Sequence, residues 1–596
     1  MPPAGPDIPQ LTWRSVLTGM LLGGILSSAN IYSGLKIGFT TNMSMASALL
    51  GFGVWQTARR TLGTPRFGLH ENAMNQTAAS AAASIAGAGL VAPIPALTML
   101  TGRELPLGWL MAWVFAVSAT GVVVGMGLRR QLILVDKLPF PYGMATAELL
   151  REMYARGREA MLRVIALVGA LSFAALLKAA VELLRIPIWF VPGALPVGGA
   201  AAAAGFTRLS WAKLGFGLEP SLLMLGVGGL VGLRAGISMT LGALVAWAWL
   251  APLAVERGWV AAGDLAADAS WFKPLVSWLL WPGVALMVSA ALTSFAWSVL
   301  TLLVRKRHAG PSHPPHQSVA AARELAPRTF RLWLLGAGTL TVALQLHLFG
   351  IAPHAAIAAV LLTFVLAIVA GRVTGETGIA PIGAMGKVTQ LSFAAISPGN
   401  VTDNLMSANV TGGAASQCSD MLHDLKTGHL VGASPRSQGI AQLAGVAAGA
   451  VGGVVAYLLL VPHPTEQLIT RQWPAPAVAQ WKAVAEVLAA GGRALPPRAL
   501  EAMVIGAIAG MLLTVADKQL SDRWRRFLPS AASLGLAFVL PAHYALAMLL
   551  GGLAVAAARR WAPYVAARFA LVIAAGLVAG ESLAGVGFAI ARLIAE

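Results

Sequence analysis

The sequence predicts an all-α polytopic membrane protein, with roughly 14–16 transmembrane helices in two related halves and re-entrant or broken-helix segments between spans. Three observations carry this prediction. First, 57% of the 596 residues are hydrophobic, 11% are charged, and the mean hydropathy is +0.73. A soluble domain carries about 25% charged residues, and a chain this apolar cannot cover itself with polar surface, so lipid must be its solvent. Second, apolar stretches near the ~20 residues needed to cross a hydrocarbon core recur along the whole chain. Third, the chain echoes itself. FGLEPSLLMLGVGGLVGLRAGISMTLGALVAW starts at Phe216 and RFLPSAASLGLAFVLPAHYALAMLLGGLAVAA at Arg526, and Pro220-Ser221 falls on Pro529-Ser530, an offset of 529 − 220 = 309. With no gap, Gly226 then meets Gly535 and Leu241-Gly242 meets Leu550-Gly551. A shorter echo sets Glu71-Asn72-Ala73-Met74 on Asp403-Asn404-Leu405-Met406, an offset of 403 − 71 = 332.

The expected spans of the first half are Leu11–Ala29, Ile31–Trp55, Ala73–Ala92, Leu107–Leu128, Val164–Leu184, Leu218–Leu233, Gly236–Leu253 and Pro274–Val304. Those of the second are Leu332–Phe349, Ala352–Val369, Ile379–Ile396, Leu405–Cys418, Ile440–Val461, Met503–Val515, Ala531–Pro541, Ala545–Ala558 and Phe569–Ile590, some too short to stand alone. Lys137–Tyr154 and the Pro-, Gly- and Ala-rich Pro187–Ala204 read as re-entrant or surface-lying segments. The basic, Pro-rich stretch Arg305–Arg328 divides the chain into an N-terminal half (1–304), a linker (305–328) and a C-terminal half (329–596).

The formal charge of +18 sits in short loops between apolar segments, which is the positive-inside pattern and no footprint for nucleic acid. Arg59, Arg60 and Arg66 share one loop, and Arg129, Arg130, Lys137, Arg151, Arg156, Arg158 and Arg163 another. That places the N-terminus and the linker in the cytoplasm of a multi-pass inner-membrane protein. If both halves hold an even number of spans, the repeats are parallel. The N-terminus lacks a basic n-region, so no signal peptide is expected. A single cysteine, Cys418, builds no disulfide, zinc or iron–sulfur site within one chain, and no cofactor is expected.

A charge near the bilayer centre costs ~3 kcal/mol on insertion scales, so polar residues inside apolar stretches are functional candidates. Asn30, Lys36, Thr40, Thr41 and Asn42 interrupt one span, as a broken helix beside a cavity would; close packing through small residues, or snorkelling of Lys36, are the alternatives. Glu71, Asn72, Asn75 and Gln76 span little more than a turn and either bind a solute rich in amides or cap the helix start. Tyr142, Thr146 and Glu148 lie in PFPYGMATAELL, a candidate site or an amphipathic surface helix. Glu376 and Lys387 sit in GRVTGETGIAPIGAMGKVTQ, whose glycines argue against a continuous helix and for a proton or cation site. Asp403, Asn404, Asn409 and Gln417 follow it. Asp420, His423, Asp424 and His429 allow metal binding, but a dense polar run after a span reads first as a cytoplasmic helix–loop, with a role in gating or repeat-to-repeat contact ahead of metal binding. Glu581 lies alone in the last span, as a proton-titrating or a structural group. Gly-Ala-Met-Gly-Lys-Val is no Walker motif, and no His-Glu-x-x-His helix is present.

The segments GLKIGFTTNMSMASALLGF, ENAMNQTAASAAASIAGAG, DKLPFPYGMATAELL and SDMLHDLKTGHLVGASPRSQ resemble the oligopeptide transporter superfamily, in its bacterial and yellow stripe-like branch, from about Leu11 to Ile440. The Asn-Pro-Gly and Lys-Ile-Pro-Pro-Arg motifs of the fungal and plant peptide branch are absent. The resemblance implies a secondary transporter with proton-coupled uptake of small peptides or of metal ions chelated by amino-acid-like ligands. The expected substrate-binding residues are Lys36, Asn42, Glu71, Asn72, Asn75, Gln76, Tyr142, Thr146, Asn404, Asn409 and Gln417; the proton-coupling candidates are Glu376, Asp403, Glu71, Glu581 and Glu148. Because the metal would arrive inside its ligand, no dedicated metal site is required. The expected partners are the small solute, protons and the bilayer, with a homo-oligomer allowed; a lipid-modifying membrane enzyme or a channel are the competing readings.

Overall fold

The computed structural model describes residues 10–38, 40–203, 205, 207–260, 271–308, 326–378, 380–491 and 495–595. Most of the basic linker 305–328 lies outside the described residues. The chain is all-α. Among the described residues, twelve helices are long and apolar enough to cross a membrane, from Trp13–Ile37 to Pro563–Ala595. Beside them run the polar 31-residue helix Val401–Val431 and shorter pieces such as Leu222–Val231, Ile382–Ile396 and Ala531–Leu536. The Gly157–Leu183 helix buries little of itself and presents Leu162, Ile165, Phe173 and Leu176 outward, as a lipid-facing helix does. The segment expected to lie on the surface forms two short antiparallel pairs, Trp189–Phe190 with Gly217–Leu218 and Ala194–Pro196 with Arg208–Ser210.

The breaks fall where the sequence supplies them. Trp13–Ile37 ends at Gly38 (φ 70°) and Pro353–Thr377 at Gly378 (φ 82°), each in the left-handed region where glycine carries no Cβ penalty. As expected, the Gly-rich segment is not one continuous helix: Pro353–Thr377 ends at Gly378 and the next helix starts at Ile382, although the first runs on through Gly371 and Gly375. Both glycines admit close neighbours, Leu132 and Leu422 at the first and Leu138 at the second, and this packing outweighs glycine's poor helix propensity.

The internal echo is visible as exchanged contacts. A Cβ on Gly242 would strike the Leu534 carbonyl, and one on Gly551 would strike the Leu225 carbonyl; both partners shift by the same offset of 309. A Cβ on Gly226 would lie 2.9 Å from the Ala574 carbonyl oxygen, and one on its counterpart Gly535 would lie 2.9 Å from that of Gly283. At the centre, Gly121 and Gly125 lie on the carbonyls of Ala414 and Cys418, while Gly445 and Gly449 lie on those of Ala78 and Ala82. Each contact is the image of another with the two sets of helices exchanged.

The direction of the exchange is inverted. Gln417 donates to the Ala81 carbonyl (3.1 Å), Asn409 to the Ala88 carbonyl (3.0 Å), and His70 meets the Val431 carbonyl (3.1 Å). Numbers rise along Leu69–Thr101 as they fall along Val401–Val431, so these helices run antiparallel and Glu71 and Asp403 sit at opposite ends. The parallel arrangement expected from even halves does not arise, because the Pro327–Phe349 helix carries the chain across before the second set begins. Its Phe330 lies against Gly127 near the end of the Leu107–Arg129 helix, while Phe349 meets Trp113 edge to face near that helix's start (ring centroids 4.8 Å).

Candidate functional site

Val401–Val431 is the axis of the molecule. The polar run expected to lie in a cytoplasmic helix–loop is instead the buried second half of this helix, from Ser416 to Gly428. It is tolerated there because its side chains find backbone carbonyls on the segments around it. Lys426 donates to Leu138 (2.8 Å), Thr427 to Gly143 (2.9 Å), and His423 meets Gly378 (3.2 Å). The helix directs its groups to two sides. His423 stands between the rings of Phe140 and Tyr142, whereas Asp420 and Asp424 face Asn42, Ser44 and the Leu69–Ala83 helix. The aspartates and histidines therefore do not converge on one metal. The other three segments that carried the family resemblance pack around this stretch.

The remaining candidates divide among several places. Asn42 donates to Asp420 (3.4 Å) and accepts from the Ser44 amide (3.0 Å). Asn72 and Asn75 donate to the carbonyls of Ala48 (3.0 Å) and Ser47 (3.2 Å), and Gln76 donates to Thr77 (2.9 Å), all fully buried. Glu71 receives Arg14 (2.6 Å) and Thr12 (2.7 Å) and accepts the Gly68 amide (2.9 Å), so it both pairs and caps. Thr146 donates to the Tyr142 carbonyl (2.9 Å) within the Pro141–Ala155 helix, on which Tyr142 and Glu148 are exposed. Asn404 binds the Gln390 carbonyl (2.6 Å), beside Lys387, whose ammonium meets Gln390 (2.9 Å) and lies 4.1 Å from the Trp481 ring centre. Asp403 is buried in the first turn of its helix, Glu376 is exposed in the last turn of Pro353–Thr377, and Glu581 accepts from Ser221 (2.8 Å) and the Leu223 amide (2.6 Å), capping a helix.

The Arg14–Glu71 pair leads to a direct expectation. Its two side chains are 15% and 7% exposed, so removing one charge strands the other in a poorly solvated place. Glu71→Gln is expected to destabilise the protein by on the order of 3 kcal/mol, read as a lower unfolding midpoint in detergent. An unchanged midpoint would show that the pair is not structural.

Of the expected site residues, only Lys36 reaches a pocket of about 340 Å³ at the end away from Arg14 and Arg66. Tyr32, Lys178, Glu182, Glu219, Arg471, Trp473, His543 and Arg592 also line it. Lys178 and Arg592 both pair with Glu182, the first at 2.8 Å. Burial works against ionisation of Glu219, but His543 at 3.2 Å holds its carboxyl down to about 2. Lys36 instead sits over the rings of Trp473 (5.2 Å) and Tyr32 (5.8 Å), and Arg471 over Phe190 (4.8 Å). Except for Lys36, sequence reasoning missed this pocket. Its residues come from the ends of separate helices, and Lys178 with Glu182 reads as a plain i, i+4 pair. The only available signal was a charge at the edge of each apolar stretch.

An all-helical bundle of inverted halves, with a buried polar crossing at its centre and a charged pocket opening at one end, is the architecture of a membrane transporter rather than an enzyme. A family model described as OPT oligopeptide transporter protein matches residues 10–592, and the chain belongs to that family. It is 24% identical over 715 residues to a Saccharomyces cerevisiae protein named as an oligopeptide transporter, covering 97% of this chain and 95% of the relative. It is 26% identical over 621 residues to the iron-phytosiderophore transporter yellow stripe 1 of Zea mays, covering 96% and 89%. It is 24% identical over 630 residues to an Arabidopsis thaliana protein named as a metal-nicotianamine transporter, covering 96% and 85%.

Proposed function

We propose that this transporter takes up small anionic solutes built from amino-acid-like units, either peptides or metal chelates, driven by protons across the inner membrane. The observation that carries the reading is the pocket. Lys36, Lys178, Arg471 and Arg592 outnumber Glu182 and Glu219 around a space of about 340 Å³, the size for one small polar solute with carboxylates. Arg14, Arg59, Arg60 and Arg66 gather at the opposite end, and by the positive-inside rule that end is cytoplasmic, so the pocket faces outward as uptake requires. The names of the plant relatives support chelates as one solute class.

The test is reconstitution in liposomes holding a pH dye, with an inward proton gradient and a negative internal potential. Di- to pentapeptides and iron– or nickel–chelate complexes are added in turn. Solute-dependent acidification is the expected result. Labelled solute entering without acidification would reject proton coupling, and no entry of any of these solutes into vesicles of folded protein would reject the substrate class.

A further inference from the structure

The face of Val401–Val431 that turns toward Leu69–Ala83 carries two carboxyls one helical turn apart, Asp420 and Asp424. Asp424 is 1% exposed. One of its oxygens meets the Ser44 hydroxyl at 3.3 Å, but that hydroxyl also points to Ser80 at 2.9 Å and has a single hydrogen to give. Its other oxygen has no partner among the described residues. Asp420 receives the long 3.4 Å contact from Asn42, with Ser84 beside it.

Few donors reach the two carboxyls: Asn42 and Ser84 at Asp420, Ser44 and Gln76 at Asp424. The Gln76 carboxamide reaches Asp424, but its nitrogen is shared with Ala73 (3.2 Å) and Thr77 (2.9 Å), and its buried oxygen has no partner among the described residues. Gln417, one turn before Asp420, likewise gives its nitrogen to Ala81 and leaves its oxygen unpartnered. Turning either amide over would break a bond already made. The ionisable neighbours do not compensate. His423 and Lys426, on the same helix, point to Gly378 and Leu138; on Leu69–Ala83 the ionisable groups are His70 and Glu71, engaged with Val431 and Arg14. Residues 40–44 carry no ionisable side chain, and Arg436 is the ionisable residue of the first turn of the next helix, Pro435–Leu460. No ion pair reaches either aspartate among the described residues. A buried carboxylate so poorly supplied costs several kcal/mol unless a positive charge joins it.

We infer that Asp420 and Asp424, with Asn42, Ser44 and Gln76, form the binding site of a small hard cation, either a proton held by the carboxyls or a sodium ion. Carboxylate, carboxamide and hydroxyl oxygens suit such an ion and not a thiolate- or imidazole-seeking metal. The site also has a mechanical position. Asn42 and Ser44 follow the break after Gly38, so an ion here ties the broken first helix to the central one. Its use in driving transport rests on the coupled-uptake reading above.

The experiment uses the full-length protein in detergent. Thermal unfolding is followed at graded NaCl against choline chloride at constant ionic strength, and at graded pH. The expected wild-type result is a saturable rise of about 3 °C, with added sodium if sodium is the ligand, or as the pH is lowered, with no response to sodium, if it is the proton. Asp424→Asn removes the response and keeps a midpoint equal to or above the wild type, because the neutral amide has no charge to be paired. Asp420→Asn and Ser44→Ala, which weaken the same response, serve if Asp424→Asn does not fold. A wild type indifferent to both ions, or aspartate variants that keep the full response, would overturn the site. Uptake in liposomes that needs no ion gradient, with the unfolding response intact, would reject coupled transport and leave the site standing.

Discussion

Gly445→Leu is expected to abolish recovery of folded protein, and Gly121→Leu to do the same. Each glycine faces a backbone carbonyl of a crossing helix, Ala78 for Gly445 and Ala414 for Gly121, closer than any Cβ tolerates. A flexible side chain would yield, but a carbonyl inside a helix can move only with its helix. Gly125 facing the Cys418 carbonyl and Gly449 facing that of Ala82, where a Cβ would come to 3.0 and 2.5 Å, hold the same pairs of helices close one turn on. Separating the axes would therefore forfeit several contacts at once, and in lipid that packing is the main force between helices. The cost is on the order of 3 kcal/mol or more for each substitution. Size-exclusion profiles of detergent extracts provide the check: loss of the monodisperse peak for both variants, with Gly336→Leu, where nothing lies within 4 Å, behaving as wild type. A normal peak for Gly445→Leu would mean that the halves do not cross this closely.

The same glycines explain how much of the fold was legible. Composition and span length were sufficient to predict an all-α membrane chain, because lipid solvation acts on every residue alike. The Pro220-Ser221 and Pro529-Ser530 echo was readable because both serines cap the helix that follows, Ser221 accepting from Met224 and Ser530 from Ser533. The inverted relation was not readable. It depends on whether Pro327–Phe349 crosses, and a parity argument over spans fails with one miscounted helix. Val401–Val431 was misread for a related reason. Hydropathy averages over a helix, whereas its burial is decided by particular carbonyls, at Leu138, Gly143, Gly378 and Ala81, that belong to segments distant in sequence. Asn42, Gln76 and Gln417 stand out in the sequence as polar groups in apolar surroundings. Their convergence with Asp420 and Asp424 required the helix faces to be known, since His423 lies between the two aspartates in sequence yet points away.

Neutralising Lys36 and Arg471 together is expected to lower the affinity for anionic solutes by about a hundredfold, roughly tenfold for each charge if each contributes ~1.4 kcal/mol. The other charges of the pocket are already committed: Lys178 and Arg592 to Glu182, and His543 to Glu219. Lys36 and Arg471 rest on aromatic faces, an arrangement that keeps a cation in place while leaving its front open to a carboxylate. They come from different parts of the chain, the first helix and the loop near Trp473, so a solute bridging them would also join these elements. The measurement is the concentration dependence of solute uptake into liposomes for Lys36→Gln, Arg471→Gln and the double variant, over a series of ionic strengths. Wild-type uptake should weaken as salt rises, because the attraction acts through partly exposed charges. The double variant should show a raised half-saturation and little remaining salt dependence, with a wild-type unfolding midpoint. A solute without carboxylates should be nearly indifferent to both substitutions. If instead the half-saturation is unchanged while maximal uptake falls, these cations act in the conformational cycle rather than in binding, and the anionic solute has to be received deeper, near the buried Lys387 beneath the Trp481 ring.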